Sequence, residues 1–390
     1  MTGEGAVLLL AGLCGGMAFL LLLPVVIYPL LLGGMARLFG RRPVVPDATE
    51  PWPTVSLVVV FRNARPLLEA KQRNCLQLDY PREKLQILFC SDGSEDGGET
   101  LLTPQPGLVV LANPRHRGKI ACLNEAVEMA TGAILCFSDV DGLLEPEALK
   151  KLLRWFADPA VGGVCGQRVI GEQGHLHAAQ SRYIDLDSAI KGWESRLGGL
   201  ASSDGKLHAV RRELFRPLPE AVADDLFICL AARLLGGRFL FEPEARVRVP
   251  LPSRGDRHER LRRRRIVSSS LRGIFLCWPL LLPWRYGAFA VQLLINKVLR
   301  RLMPLFLLLL TLFTLIGTGL SALFWVGALP LLSVYAAAAC HALSGGRRGK
   351  VGKLCAMAWY FCLGNLGMAL GWYDYLRGSP AAKWDPIKQD

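Results

Sequence analysis

The chain has 390 residues, of which 46 are basic and 33 acidic, and its formal net charge is +13. Hydrophobic residues make up 51% of the chain and the mean hydropathy is +0.29, which is too apolar for an ordinary soluble protein. The eleven cysteines include no Cys-x-x-Cys pair. They are therefore interpreted as reduced packing residues of a cytosolic domain, and neither a disulfide framework nor a zinc site is expected.

The first apolar segment lies at the N-terminus, where residues 6–32 carry no charge. At about 1.5 Å per residue, a helix of this length crosses a bilayer core of about 30 Å. A cleaved signal peptide is the alternative, but the run is too long and Thr2–Gly5 lacks a basic residue. Three arginines follow the run, at Arg37, Arg41 and Arg42. The positive-inside rule therefore predicts a membrane helix over 1–36 with an external N-terminus, followed by a linker over 37–53.

Three further apolar runs lie near the C-terminus, at Leu302–Leu323, Trp325–Leu343 and about Leu354–Trp372. Basic clusters flank them, at Lys297, Arg300 and Arg301 and at Arg347, Arg348, Lys350 and Lys353. If both clusters are cytoplasmic, the first two runs form a membrane hairpin. The third run either crosses the membrane, is re-entrant, or lies at its surface. Membrane helices are thus predicted within 301–375, followed by a tail over 376–390.

Between the membrane segments, over residues 54–250, short apolar runs alternate with helical stretches. The predicted strands are 54–61, 86–90, 107–112 and 133–137, and the predicted helices between them are 66–78 and 118–129. This alternation predicts a parallel α/β sheet, whose ligands bind at the carboxyl ends of the strands. Asn63, Asp92 and the pair Asp139 and Asp141 all follow predicted strands.

Asp139 and Asp141 are two residues apart, so in an extended chain both side chains point the same way. Paired carboxylates at a strand end suit Mg²⁺ or Mn²⁺ held together with phosphate oxygens. A solvated turn is the alternative, because Gly142 follows. Polar residues after two other strands favour the metal site.

In the second half of the soluble region, the sequence pattern predicts strands at 162–167 and 207–212 and helices at 180–196 and 226–235. Asp224 and Asp225 precede the last helix. Acids at a helix start cap free N–H groups, and one of them could instead serve as a general base. Lys119 opens an earlier helix, where it is either solvated or a contact to a diphosphate.

The densest basic patch is 254–265, within a stretch (251–300) predicted to form basic and amphipathic interfacial helices. Anionic membrane lipids explain such a patch more economically than nucleic acid, and a diphosphate substrate is a second contributor. No interleaving of aromatic and basic residues marks the soluble region, so nucleic acid is not an expected partner.

Several motifs occur in a familiar order. They are Ser91-Asp92-Gly93-Ser94, Gly118-Lys119-x-x-x-Leu123-Asn124, Asp139-Val140-Asp141, Ala209-Val210-Arg211-Arg212-Glu213, Asp224-Asp225, Phe241-Glu242-Pro243 and Arg262-x-x-Arg265. With them the chain resembles, from Val55 to about Ser270, the membrane-integrated family 2 glycosyltransferases, the group of chitin, hyaluronan, poly-N-acetylglucosamine and cellulose synthases. The resemblance implies an α/β, Rossmann-like GT-A fold with N- and C-terminal transmembrane helices.

The resemblance also implies a UDP-sugar donor and a divalent cation, Mg²⁺ or Mn²⁺. Residue by residue, it assigns a nucleotide contact to Asp92, the metal and diphosphate to Asp139 and Asp141, the general base to Asp225, and the diphosphate and acceptor to the segment with Arg262, Arg265 and Ile266. Beside these, Asn63 and Lys119 are candidate contacts to the donor, and Asp224 is a candidate on the acceptor side. Three positions depart from the family pattern: Ala64 replaces Glu, Ala223-Asp224 precedes Asp225 in place of Thr-Glu, and Ile266 replaces a Trp that contacts acceptor sugars. The last departure puts processive polymerisation in doubt.

The sequence therefore predicts an inverting glycosyltransferase of the inner (plasma) membrane with a cytoplasmic catalytic domain. One candidate base implies a single displacement, and the acceptor is a growing polysaccharide or a membrane lipid, in contact with the lipids around it. A single transfer to a glycolipid or a polyprenyl phosphate is an alternative. The alternative of another class is a catalytically silent scaffold or regulatory subunit. The presence of Asp92, Asp139, Asp141 and Asp225 together argues against it.

Overall fold

The computed structural model describes residues 3–41, 44, 51–170, 177–250, 255–344 and 349–378. The chain forms two compact units. The sheet unit comprises the described parts of 32–252 and 272–292, and the helical unit comprises those of 1–31, 253–271 and 293–380.

The strands of the sheet unit are β1 (Val55–Phe61), β2 (Leu85–Asp92), β3 (Leu108–Asn113), β4 (Ile134–Phe137), β5 (Leu143–Leu144), β6 (Val161–Ile170), β7 (His208–Arg211) and β8 (Arg238–Val249). Their order in the sheet is β3-β2-β1-β4-β7-β6-β8-β5. Every residue of β1 is buried, as its continuous apolar sequence predicts for a central parallel strand. The first four strands are parallel, whereas β7 runs antiparallel to both of its neighbours.

The sheet is therefore mixed, and the predicted α/β fold is confirmed with an antiparallel insertion. Neither β5 nor β8 was predicted from the sequence. The second half of β8 alternates exposed and buried residues and contains Pro243, so it has no continuous apolar run. It is held by its long parallel pairing with β6, which is a contact between distant parts of the chain.

The α-helices are α1 (Gly3–Leu22), α2 (Tyr28–Leu38), α3 (Arg65–Leu76), α4 (Lys119–Glu128), α5 (Ala148–Leu153), α6 (His177–Arg196), α7 (Asp224–Leu234), α8 (Asp256–Leu276), α9 (Pro283–Tyr286), α10 (Ala288–Leu293), α11 (Arg300–Thr318), α12 (Trp325–Ser344) and α13 (Lys350–Leu376). In the sheet unit, α3 buries Leu68 and Cys75 in a core shared with Leu57, Phe61 and Phe89. This core fixes the edge of the sheet at which β1, β2 and β4 end.

The described residues contain four helical segments long and apolar enough to cross a membrane, at 4–38, 288–318, 322–344 and 351–376. They confirm the prediction of N- and C-terminal membrane helices. The first joins α1 to α2 through a π-helical turn at Leu23–Ile27 that contains Pro24. The second begins earlier than predicted and includes Arg300 and Arg301.

Candidate active site

The two carboxylates of the Asp139-Val140-Asp141 turn, which directly follows β4, converge on one point. The ammonium of Lys206, two residues before β7, occupies that point. It lies 3.1 Å from Asp139 Oδ2 and 2.6 and 2.8 Å from Asp141 Oδ1 and Oδ2. The expectation that both acids face one place in space thus agrees with the structure.

Lys119, the first residue of α4, joins this turn to the start of α7. Its ammonium lies 3.1 Å from Asp139 Oδ1 and 2.7 Å from Asp224 Oδ2. Burial lowers the pKa of Lys119, but Asp139 and Asp224 outweigh it and raise that pKa. Burial likewise raises the pKa of Asp139, and Lys119 and Lys206 outweigh it and hold the pKa well below its usual range. Asp139 is therefore an anion throughout the physiological pH range.

Asp225 differs from Asp224 because, in the part of the chain that the structure describes, no lysine or arginine forms an ion pair with its carboxylate. Its Oδ1 instead accepts a 2.8 Å hydrogen bond from the Leu226 N–H. Burial, followed by the charges of Asp224 and Asp204, raises the pKa of Asp225 to about 6. A carboxylate with this pKa is mostly ionised at neutral pH and still basic enough to accept a proton from a substrate, which is what a general base requires. Gly205 lines the space beside it: a Cβ on Gly205 would lie 3.7 Å from Asp225 Oδ2.

Asp92, at the end of β2, organises the loop that leads into α4. Its buried carboxylate accepts hydrogen bonds from His116 Nδ1 at 2.9 Å and from the N–H groups of Arg117 at 2.7 Å and Gly118 at 3.0 Å. The loop comes so close that a Cβ on Gly93, at φ +61°, would lie 2.5 Å from the Arg115 backbone. Asp92 thus shapes the edge of the sheet, and its direct contact with a nucleotide stays a prediction.

Asn63 follows β1 with a positive φ of 47°, a conformation that asparagine tolerates better than most residues. Its Oδ1 accepts a hydrogen bond from the Glu95 N–H at 2.8 Å, and its own N–H donates to Ser94 Oγ at 3.1 Å. The side chain ties the loops after β1 and β2 together. A contact from Asn63 to a donor also stays a prediction.

Three further residues of this site, Lys71, Lys206 and His208, were not predicted from the sequence. Lys71 on α3 is fully buried, and its ammonium donates to Ser138 Oγ at 2.8 Å and to the Gly142 carbonyl at 2.5 Å, on either side of the two acids. A signal was present, because Lys71 shares the buried helical face of Leu68 and Cys75 at spacings of three and four. His208 lies under the site, stacked on Phe137, and burial lowers its pKa.

Arg262, Arg265 and Ile266 lie on α8, in the part of that helix that belongs to the helical unit. The aspartates of the site, Asp139, Asp141, Asp224 and Asp225, belong to the sheet unit. Arg262 lies 3.7 Å from Glu259, one turn earlier on the same helix. Their predicted roles toward a diphosphate and an acceptor stay predictions.

A larger cavity, of about 710 Å³, lies at the opposite edge of the sheet, at the amino ends of β1 and β4. It is lined by Trp52, Phe156 and Arg212 among others and contains none of the predicted site residues. Size alone does not identify the active site. The smaller pocket that Lys119, Ser138, Asp139, Gly205 and Asp224 line has the clustered charges that chemistry requires.

The residues present fit a divalent cation that a ligand helps to bind. Across residues 3–41, 51–170, 177–250, 255–344 and 349–378, no group of three or more His, Cys, Asp or Glu side chains could hold a metal by itself. Asp139 and Asp141 supply two carboxylates that already converge on a cationic group. Such a pair matches Mg²⁺ or Mn²⁺ sites that phosphate oxygens complete.

A sheet with a parallel half and a D-x-D turn at its carboxyl edge, next to the half-buried carboxylate of Asp225, is typical of the GT-A class of sugar-transferring domains. A mannosyltransferase from Pyrobaculum calidifontis, solved in complex with GDP-Man and Mn²⁺, shares this fold. Its TM-score is 0.69 at 23% identity, over 97% of this chain and 99% of that one. The sequence profile described as Glycosyl transferase family 2 matches residues 56–218, so the chain carries a glycosyltransferase domain of family 2.

Curated relatives match about half of this chain. A beta-monoglucosyldiacylglycerol synthase from Synechocystis sp. is 23% identical over 199 residues, which are 48% of this chain and 42% of that protein. An N-acetylglucosaminyltransferase from Rhizobium sp. is 23% identical over 251 residues, 57% of this chain and 55% of that protein. The chain thus spans about half the length of the curated relatives it matches. These relatives support the glycosyltransferase class; one name gives a glycolipid product and the other gives the sugar that is transferred.

Proposed function

We propose that this protein is an inverting membrane glycosyltransferase. It moves a sugar from a UDP-sugar to a hydroxyl group of a membrane lipid or of a growing polysaccharide. The observation that carries the proposal is the meeting of four carboxylates and two ammonium groups at the carboxyl edge of the sheet: Asp139, Asp141, Asp224 and Asp225 with Lys119 and Lys206.

The reaction needs a base, a leaving-group site and a fixed direction of attack. The acceptor oxygen forms a bond to the anomeric carbon while the bond from that carbon to the diphosphate oxygen breaks. Asp225 accepts the hydroxyl proton, for which its pKa of about 6 is suited. Lys119 and Lys206 offset the negative charge that develops on the leaving diphosphate. With one base and no carboxylate assigned as nucleophile, the displacement is single and inverts the anomeric centre.

Asp139 and Asp141 would hold Mg²⁺ or Mn²⁺ together with the donor phosphates. When bound, the metal supplies Lewis-acid stabilisation of the diphosphate. The Mn²⁺ and GDP-Man named in the Pyrobaculum calidifontis structure support a divalent metal and a nucleoside diphosphate sugar, and they make GDP-sugars the main rivals of the UDP-sugars.

Membrane attachment follows from the four apolar helical segments, and we place the catalytic domain on the cytoplasmic side of the plasma membrane from the arginines after the first segment. The diacylglycerol acceptor implied by the name of the Synechocystis relative supports a lipid acceptor. Ile266, in place of the acceptor-contacting Trp, also favours a single transfer over processive polymerisation.

The test is nucleotide release by the full chain purified in detergent with Mg²⁺ or Mn²⁺. A panel of UDP- and GDP-sugars is presented with diacylglycerol, polyprenyl phosphate or oligosaccharide acceptors. We expect one donor to react, with loss of activity in Asp225→Asn and retention in the matched control Asp79→Asn, an exposed acid paired with Lys150. Retained activity in Asp225→Asn contradicts the mechanism. No release from any donor favours the scaffold alternative.

A further inference from the structure

The ammonium of Lys206 and a divalent cation compete for the same carboxylates. All the oxygens of the D-x-D pair contact lysines: Lys119 contacts Asp139 Oδ1, while Lys206 contacts Asp139 Oδ2 and both oxygens of Asp141. Lys206 is about four-fifths buried, at 22% side-chain exposure, so its charge is poorly screened by water. A doubly charged ion bound by the two acids would lie within a few ångströms of that ammonium, where repulsion is strong.

We propose that Lys206 is an exchangeable cation of the donor site. Without a donor, its ammonium pairs with both Asp139 and Asp141, reduces the repulsion between them and keeps their carboxylates converged. When a divalent cation and the nucleoside diphosphate arrive together, Lys206 leaves the carboxylates and binds the diphosphate. The diphosphate is the natural new partner, because it brings negative charge to the place where the metal adds positive charge. The inference rests on the proposed function and adds an order of binding to it.

If Lys206 exchanges partners in this way, removing its ammonium changes metal binding and donor binding in opposite directions. Removal of a lysine with a purely structural role would not do so. Lys206→Met removes the competitor, so the free protein binds Mn²⁺ more tightly. The same variant lacks the ammonium that contacts the diphosphate, so the metal-loaded protein binds the nucleotide more weakly. We expect each change to be about tenfold, a common size of coupling between two bound ligands.

The experiment titrates Mn²⁺ into the full chain in detergent and follows free Mn²⁺ by electron paramagnetic resonance, without nucleotide and then with UDP or GDP. Lys206→Met and Lys206→Gln are compared with Lys150→Met, which removes a lysine paired with Asp79 outside the site. The second substitution keeps the test usable if the first one prevents folding. Tighter Mn²⁺ binding with weaker nucleotide binding in the Lys206 variants alone supports the exchange.

Unchanged or weaker Mn²⁺ binding in both Lys206 variants overturns the exchange. The readout is independent of turnover, so failure of the inference is distinguishable from failure of the proposed function. Wild-type protein that turns over a donor while both variants keep wild-type Mn²⁺ affinity contradicts the exchange alone. Wild-type protein that binds neither Mn²⁺ nor nucleotide contradicts both.

A second, independent observation concerns α13 in the helical unit, whose position the sequence left open. The charged half of α8 runs alongside it. Arg264 Nε and Nη2 lie 2.5 and 2.6 Å from the carboxylate of Asp374, and Trp359 Nε1 donates to Asp256 Oδ2 at 2.7 Å. Gly371 allows the approach, since a Cβ there would lie 2.7 Å from the Arg264 carbonyl oxygen.

The two halves of α13 also lie next to helix ends that carry basic residues. Near its C-terminal end, Trp372 Nε1 donates to the carbonyl oxygen of Arg301 at 2.7 Å, at the start of α11. Near its N-terminal end, Trp359 packs on His341 in the last turn of α12, with ring centroids 6.3 Å apart. If α11 and α12 form the predicted hairpin, both ends belong to the cytoplasmic face of the membrane.

We infer that α13 lies with α8 at the cytoplasmic membrane surface and does not cross the bilayer. A crossing α13 would carry the arginines of α8 into the hydrocarbon core, where each charge costs several kcal/mol. At the surface, the same arginines face anionic headgroups, and the apolar residues of α13 face the acyl chains. The C-terminal end of α13 then lies on the cytoplasmic side of the membrane.

The test compares sides of the membrane in the full chain. Arg377→Cys follows α13, and Leu320→Cys lies between α11 and α12; both positions are exposed. Each variant is labelled in cells with a membrane-impermeant maleimide, before and after permeabilisation, and the labelling of the parent protein is subtracted. Labelling of the two positions from opposite sides supports a surface helix. Labelling from the same side means that α13 crosses the membrane and overturns the inference.

Discussion

Charge is arranged differently at the carboxyl edge of the sheet and between α8 and α13. At the edge, the described residues place four aspartates, Asp139, Asp141, Asp224 and Asp225, near three lysines. Lys119 and Lys206 pair with these acids and Lys71 binds the same turn, so negative charge is in excess. Between the two helices, Arg264 and Asp374 pair one to one through two hydrogen bonds. An excess of negative charge next to a pocket favours the binding of a positively charged ligand. A balanced ion pair needs no further counterion and holds two helices together. The same residue types therefore mark a candidate site in one region and a structural contact in the other.

The largest expected effect is on catalysis. Asp225→Asn removes the proposed base but keeps the size of the side chain, so we expect sugar transfer to fall by about 10³-fold, within the range for lost acid–base catalysis. Donor binding should change little, because Lys119, Lys206 and the D-x-D pair remain. The measurement is single-turnover transfer together with nucleotide affinity. Equal loss of both would mean that Asp225 acts by shaping the site.

The pH dependence follows from the same carboxylate. Because the pKa of Asp225 is raised to about 6, the base is protonated at pH 5 and ionised at pH 8. We expect the transfer rate to fall about tenfold per pH unit below pH 6 and to be level above pH 7. The residual activity of Asp225→Asn should not show this step. A wild-type rate that is flat down to pH 5 would contradict the assignment of Asp225 as the base.

A stability measurement tests whether the carboxyl edge holds excess charge. The folded state binds the Asp225 proton more tightly than the unfolded state does, so ionisation costs stability as pH rises from about 4 to about 6, and the cost remains above that. Asp225→Asn removes it, and we expect stabilisation by up to about 3 kcal/mol at pH 8, the free-energy equivalent of about two pKa units. The gain should disappear near pH 4. Thermal unfolding in detergent at both pH values checks this; destabilisation at pH 8 would contradict the excess.

The balanced pair should respond in the opposite sense. Asp374→Asn leaves Arg264 with a neutral partner, and we expect a loss of about 1 kcal/mol, small because the arginine is partly exposed to solvent. A matched control is Asp79→Asn, whose surface pair with Lys150 should contribute less. Unfolding midpoints of the two variants provide the comparison. No destabilisation by Asp374→Asn would mean that the close packing at Gly371 and the Trp359–Asp256 hydrogen bond suffice to join α8 to α13.

The sequence predicted what depends on local pattern. The apolar run of β1 and the acids after β2 and β4 are visible in the residues themselves, and parallel strands bring their carboxyl ends together. Lys206 was not predictable, because a lysine in a loop before a strand has no periodic pattern; only the antiparallel pairing of β7 with β4 brings it to the acids. The position of α13 was open for a similar reason, since an apolar run specifies a helix but not its depth in the membrane.

Lys71 has a consequence for engineering. Its ammonium, on α3, binds the turn at Ser138 and at Gly142, so the helix and the D-x-D turn form one module although 67 residues separate Lys71 from Ser138. A chimaera that received residues 134–142 from a relative with a different residue at position 71 would gain the carboxylates but lose the group that orders them. Exchanges between such enzymes should therefore carry α3 and the turn together.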